Sequence, residues 1–242
     1  MPGARQTPGV AVGRNLLPSA EEWALRNETL ASTLAQLLND NSPTITGRGL
    51  EVGCQWGLLL DALASRTSKR WCGVDPVIDR HLSRAGSELF NGSADQLPFP
   101  DEVFDCVVLA NVYEHIPPPL REASLAEMHR VLVPGGIMVG QLPNPHFPIE
   151  SHSKLPFMGW LPPRAQNWYW RLSPSRRGSG FYSVTVGDLK RRANGAGFDV
   201  MLIRKFNYPV EAAPQAVRWL VRLMNKPMAV VPWSWQFVLR RR

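Results

Sequence analysis

The chain is predicted to be an α/β domain, doubly wound around a mostly parallel sheet. Three observations carry this. Short apolar runs at 49–52, 71–74, 89–92, 104–110 and 137–141 alternate with segments of helical period. Such alternation implies a parallel sheet covered on both faces. The run 104–110, Phe-Asp-Cys-Val-Val-Leu-Ala, is nearly all apolar, as a strand buried on both sides should be. A glycine-bearing turn, Gly53 to Gly57, directly follows the first run, and an acid, Asp75, ends the second. In a nucleotide-binding α/β fold, that second acid is placed to take ribose hydroxyls.

Taken in order, residues 1–18 are rich in Gly and Pro and are expected to be a flexible N-terminus. Ser19 with Glu22 three residues on reads as a capping box. Trp23, Leu30, Leu34, Leu37 and Leu38 supply one helical stripe over 20–39. A turn fills 40–47, then come the first strand and a helix over 56–65. The second strand is followed by an expected short helix over 78–85 and the third strand. After the fourth strand, a helix over 120–132 is stopped by Pro134-Gly135-Gly136, and the fifth strand follows. Residues 143–180 break the rhythm with Pro, Trp and Arg and no clear period. A gap of that length in a compact domain is usually functional, and a lid over the substrate side is expected. Order resumes as a helix over 185–196 and a strand over 200–205. An amphipathic helix over 214–224 sets Val217, Leu220, Val221 and Met224 against Arg218 and Arg222. The expected organisation is a flexible 1–18, a catalytic-type domain over 19–205 with the insertion 143–180, and a basic amphipathic C-terminal extension over 206–242.

The formal charge of +7 is unevenly spread. Residues 43–150 hold 8 basic and 13 acidic side chains, whereas 201–242 hold 8 basic and 1 acidic. A basic chain can signal nucleic acid. Here the acidic part carries the turn, so the positive charge is assigned to the extension and nucleic acid is disfavoured as a partner. Cys54, Cys72 and Cys106 each lie in or beside an expected buried strand, which reads as reduced core thiols in a cytoplasmic protein. Residues 1–19 show no apolar core of signal-peptide length, and no stretch reaches the roughly 18 apolar residues of a spanning helix.

The glycine turn lacks the middle Gly of a G-x-G-x-x-G dinucleotide pattern, and no Lys-Ser/Thr follows it as in a phosphate-cradling loop. The ligand is therefore expected to have no pyrophosphate. At this point the chain resembles the class I S-adenosylmethionine-dependent methyltransferases, in the small-molecule branch related to quinone-biosynthesis methyltransferases. Glu51 to Gly57, E-V-G-C-Q-W-G, is similar to that family's first motif, E/D-x-G-x-G-x-G, with Gln55 in place of the middle Gly. Asp75 matches the acid that binds the ribose diol, and Ala94-Asp95 matches the pair that meets the adenine amine. The run 97–105, L-P-F-P-D-E-V-F-D, the segment Asn111 to Ile116 and the turn Arg130 to Gly136, R-V-L-V-P-G-G, resemble three further family pieces in the familiar order. The resemblance covers 48–142 well and 181–205 more loosely. It implies a Rossmann-like class I methyltransferase fold and S-adenosylmethionine as cofactor; the spacing of His146, Glu150 and His152 could suggest a metal, but on a Pro-broken loop it lacks helical geometry, so no metal is expected. The implied cofactor-binding residues are Glu51, Gly53, Cys54, Gln55, Gly57, Asp75, Ala94, Asp95, Gln96 and Asn111.

Transfer from a sulfonium is an in-line displacement, helped chiefly by holding donor and acceptor in line. A hydroxyl acceptor also needs a base, for which His115, His146, Glu150 and His152 are the candidates. His115 follows the fourth strand, while the other three cluster just after the fifth, at the carboxyl edge where ligands bind. The reading is O-methylation of a small-molecule, lipid-like or glycan acceptor. The alternatives are a catalytically weak S-adenosylmethionine-binding module, favoured only by Gln55, and an RNA methyltransferase using the basic C-terminal region. Against the latter, no N-P-P-Y-type signature follows the fourth strand. Six of the nine tryptophans lie beyond residue 150, interleaved with arginines, a composition of membrane interfaces. Peripheral contact with the inner membrane face through 206–242 is the expectation drawn from it.

Overall fold

A computed structural model describes residues 20–78, 81–84, 87–148, 150, 153, 155–173, 182–213, 215, 218, 219, 222 and 231–242. Eight strands form one sheet: β1 (Arg48–Val52), β2 (Arg70–Val74), β3 (Leu82–Arg84), β4 (Ser87–Phe90), β5 (Phe104–Ala110), β6 (Leu132–Pro143), β7 (Phe198–Phe206) and β8 (Ser234–Arg241). Their order is β3-β4-β2-β1-β5-β6-β8-β7. The five central strands run parallel, and β3, β7 and β8 join antiparallel pairs.

The strand residues divide between two cores at a period of two, as the pleat requires. In β5, Cys106 and Val108 face one core and Val107 and Leu109 the other. The first core is covered by α1 (Ala20–Asn41) through Leu30, Leu34, Leu37 and Leu38, and by α2 (Leu58–Ala64) through Leu60 and Leu63. The second is covered by α3 (Arg121–Val131) through Leu125, Met128 and Val131, and by α5 (Val186–Gly195) through Leu189 and Ala193. Thr185 caps α5 by accepting from the Asp188 amide. The doubly wound, mostly parallel sheet read from the sequence is therefore the fold observed.

Two expectations are corrected. Residues 82–84 of the expected 78–85 helix form β3, an edge strand antiparallel to β4 in the register Leu82 with Leu89 and Arg84 with Ser87. Only Ala85 and Gly86 separate the two strands, a hairpin spacing that a helical reading overlooks. The second correction concerns 206–242. β8 enters the sheet between β6 and β7, pairing with both, and Phe237, Val238 and Leu239 are fully buried. The sheet is completed from beyond residue 205, so the chain there is not an appendage. Three of its five arginines are paired with acids: Arg218 with Glu22, Arg241 with Glu102 and Arg242 with Asp199. Residues 1–18, most of the 214–224 helix and the Ser19 cap lie outside the described residues.

The insertion contains α4 (Pro163–Tyr169), flanked by single 3-10 turns at Met158–Trp160 and Trp170–Leu172. Its base is pinned by Phe157 N donating to Pro148 O (2.7 Å), Glu150 N to Leu155 O (3.0 Å) and Ser173 Oγ to Ser153 O (2.6 Å).

Candidate active site

Gly53, at the end of β1, has φ 78°, and a Cβ there would run into Val112. Only glycine fits both the left-handed backbone and the close approach. The Gly53 and Cys54 amides both donate to Val74 O, at 2.8 and 3.2 Å, which draws the turn over the end of β2. Gln55 also lies at positive φ, 48°, and its amide donates to Asp75 Oδ2 at 2.9 Å. Val77 N donates to Asp75 Oδ1 at 2.9 Å. Both carboxylate oxygens are thus aimed by backbone, and each keeps lone pairs for a further donor.

Beside Asp75 opens a cavity of about 370 Å³ at the carboxyl ends of β1, β2 and β5. Such a crevice outside the strand ends is where α/β sheets bind ligands. Of the sequence-predicted cofactor residues, Gly53, Gln55, Asp75, Ala94, Asp95 and Asn111 line it. Cys54 is buried instead, filling the space over Gly73, and the exposed Gln96 closes a turn with Ser93. Gly57, at φ 80°, opens α2 and donates to Cys54 O, so its role is to shape the turn. Asp95 accepts from Ser93 Oγ, which orients its carboxylate within the lining loop.

Glu51 is buried, and its Oε2 has no hydrogen-bond partner among the described residues. Burial, and then the nearby Asp75 and Asp61 charges, push its carboxyl up to about 8. A buried acceptor left unmet is costly unless a ligand supplies the donor. An ammonium does so, and the methionine end of S-adenosylmethionine carries one. The residues present therefore fit that cofactor: Asp75 for the ribose diol, Asp95 for the adenine amine, and Glu51 with the Gly53 turn for the methionine end.

On the far side of the cavity, Asn111 sits at φ 55°, a conformation asparagine tolerates. Its amide donates to Gln141 O at 2.9 Å. Gln141 Nε2 in turn donates to Asn111 Oδ1 (3.1 Å) and to Tyr208 Oη (2.9 Å), while Gln141 Oε1 is buried without a partner among the described residues. Sequence reading missed Gln141 and Tyr208. The available signal was a lone amide ending the otherwise apolar run of β6.

The four candidate bases separate. His115 is exposed and lines the cavity. His146 is exposed away from that lining, with its ring 6.2 Å from that of Trp160. Glu150 is buried and accepts from the Ser153 amide at 2.5 Å, holding the insertion's own turn. His152 lies outside the described residues. The family-like pieces at 97–105 and 130–136 act structurally. Arg130 donates to Phe99 O and Leu97 O and pairs with Asp101 and Glu127, binding the loop before β5 to α3. Asp105 accepts from the Ile45, Thr46 and Gly47 amides and from Lys69. Burial raises its carboxyl, but Lys69 and Thr46 outweigh that and hold it below the ordinary range.

Comparison with known proteins agrees with this geometry. Residues 50–140 match the family described as "Methyltransferase domain". The matched segment contains the Gly53 turn, Asp75, Asp95 and Asn111, so the likeness to a methyltransferase domain falls on the cavity lining. The ubiquinone/menaquinone biosynthesis C-methyltransferase UbiE of Cellvibrio japonicus is 35% identical over 114 residues, covering 43% of this chain and 44% of that protein. The ubiquinone biosynthesis O-methyltransferase of Cereibacter sphaeroides is 30% identical over 138 residues, covering 52% of this chain and 55% of that protein. The chain thus spans about half the length of these curated relatives. Among solved structures, an S-adenosylmethionine-dependent methyltransferase from Mesorhizobium loti matches with TM-score 0.58 at 16% identity, over 87% of this chain and 100% of that one. The 1,6-didemethyltoxoflavin-N1-methyltransferase of Burkholderia thailandensis, bound to S-adenosylhomocysteine, matches with TM-score 0.56 at 14% identity, over 91% of this chain and 79% of that one. These two share the methyltransferase fold.

Proposed function

We propose that this chain moves the methyl group of S-adenosylmethionine to a hydroxyl oxygen of a small, lipid-like acceptor. The observation that carries the cofactor part is the cavity lined by Gly53, Asp75 and Asp95, with the buried Glu51, whose Oε2 has no partner among the described residues, two positions before Gly53. The cofactor supplies an electrophilic methyl on a positively charged sulfur. Attack by the acceptor oxygen forms the O–CH3 bond, and the electron pair of the C–S bond goes to sulfur. Asp75 and Asp95 fix the nucleoside, Glu51 fixes the methionine end, and Asn111, braced by Gln141, shapes the wall beside them. His115 is the candidate to accept the hydroxyl proton, because it alone of the four candidate bases is described in the lining. Relatives named as quinone-biosynthesis methyltransferases support an aromatic, lipid-like acceptor, and the one named an O-methyltransferase supports oxygen as the attacking atom.

The test is a methyl-transfer assay over prenylated catechols and water-soluble catechols, with the product's attachment atom read by NMR. Transfer to oxygen on the prenylated acceptors is expected. His115→Ala should lower kcat on a phenol of ordinary acidity by about 10²-fold or more, and much less on a strongly acidic one. Methylation at carbon would refute the oxygen assignment.

A second reading, a module that binds the cofactor without transfer, is favoured by the strained Gln55. Tight S-adenosylhomocysteine binding with no turnover on any acceptor would select it.

A further inference from the structure

We infer that the outer surface of the insertion, residues 157–172, seats this protein on an anionic lipid bilayer. Between Glu150 and Asp188 the sequence contains no acidic residue and five basic ones: Lys154, Arg164, Arg171, Arg176 and Arg177. Within that stretch Phe157, Trp160, Trp168 and Leu172 are exposed by 56, 61, 64 and 60%. Large apolar side chains bared together are uncommon on a soluble surface and mark an interaction site. Tryptophan beside arginine is the pair that membrane interfaces select, the indole at headgroup depth and the guanidinium among phosphates.

The helical frame aligns these groups. Arg164 and Trp168 are four apart on α4 and share one face, and Leu172 follows in the 3-10 turn that continues it. All three are exposed, as is Arg171. Trp160 is held outward by Nε1 donating to His146 O at 2.9 Å, and its ring meets that of Phe157 edge to face at 6.3 Å. The platform is therefore fixed to the segment that follows β6, at the same carboxyl edge as the cavity. A bilayer suits it better than an acidic peptide, since indole and guanidinium together match the headgroup layer. The insertion is therefore a second basic and aromatic surface beside the contact expected through 206–242, of which β8 is taken up by the sheet.

This inference goes beyond methyl transfer and does not depend on it. Flotation of the full chain with vesicles of phosphatidylcholine and phosphatidylglycerol tests it, against phosphatidylcholine alone. Co-flotation with the anionic vesicles is expected, and it should weaken as salt is raised. Arg164→Ala and Arg171→Ala should each lower the partition coefficient about fivefold. Trp168→Ala with Leu172→Ala should lower it further, with the melting temperature unchanged because these side chains are exposed. No co-flotation with anionic vesicles overturns the inference. So does co-flotation that none of these substitutions reduces, or retention on RNA without vesicle binding.

Discussion

At Gln55 the cofactor turn passes through the left-handed region while its amide serves Asp75. Left-handed backbone costs a non-glycine residue on the order of 1 kcal/mol. Gln55→Gly should recover most of that, raising the melting temperature by about 2–4 °C, because the donor to Asp75 is backbone and survives. An unchanged or lower melting temperature would show that the glutamine side chain stabilises the turn by contacts of its own. Asp75 carries more. Its two oxygens hold the Gln55 and Val77 amides and are left to meet a diol. Hydrogen bonds to a charged group contribute about 1.5–3 kcal/mol. Asp75→Ala should therefore weaken S-adenosylhomocysteine binding by about 10- to 100-fold or more in calorimetry, and Asp75→Asn by less. Equal affinity in both variants would remove Asp75 from the site. These positions were legible in the sequence because the turn and the acid sit at fixed places after two apolar runs. The Tyr208–Gln141–Asn111 chain was not, because its members are 67 and 30 residues apart and meet only in the folded sheet.

Among the elements, β8 shows where sequence reading stops. The parallel strands announced themselves by short apolar runs, and β1 and β5 by a helix after each as well, patterns written locally. β8 takes its partner from far off, its pairing with β6 spanning about a hundred residues of chain. Its apolar run merged with the preceding Met228 to Pro232 stretch into what read as a tail. Placement between β6 and β7 makes it a structural necessity. Truncation after Lys205 would leave β6 with an unpaired edge and bare Met138 and Leu142 on one face and Val139 on the other, so it should give insoluble protein. Val238 is wholly buried, and Val238→Asp should unfold the domain by forcing an unpaired charge into the core. Gly140, on β6 opposite Phe237, is a milder probe. A Cβ there would collide with Leu109 O and the Phe237 ring, so Gly140→Ala should cost about 1–3 kcal/mol in urea unfolding. A soluble, cooperatively folding chain ending at residue 205 would contradict this account of β8.

For the molecule as a whole, the buried carboxyls of Glu51 and Glu114 make stability depend on pH in a direction opposite to ordinary acid denaturation. Burial pushes each up to about 8, against an ordinary value of 4.5. Below 4.5 each is protonated in both the folded and unfolded chain, so neither contributes a slope. Between 4.5 and about 8 the unfolded chain gives up the protons and the folded chain keeps them. Stability is then lost as pH rises through this range, at about 1.4 kcal/mol per pH unit for each fully buried group. Groups of the opposite kind work elsewhere. Asp105 and Glu127, held below their ordinary values, lose their contribution only when pH falls well under 5. His129 is held low by burial and by Arg241 and Arg242, and it favours folding as pH rises only up to about 6.5. Cys106, raised to about 12, does not ionise in this range. Among the described titrations, the interval from about pH 6.5 to 8 therefore belongs to the two glutamates. Urea unfolding across it should show stability falling, and Glu51→Gln should remove about half the slope. S-adenosylhomocysteine should do the same to the wild-type chain, because its ammonium lowers the Glu51 carboxyl and ligand binding then releases a proton. Calorimetry in two buffers of different ionisation enthalpy would count that proton. A flat stability profile would dissociate Glu51 from the fold's titration. A falling profile with no proton released on binding would place the ammonium away from Glu51.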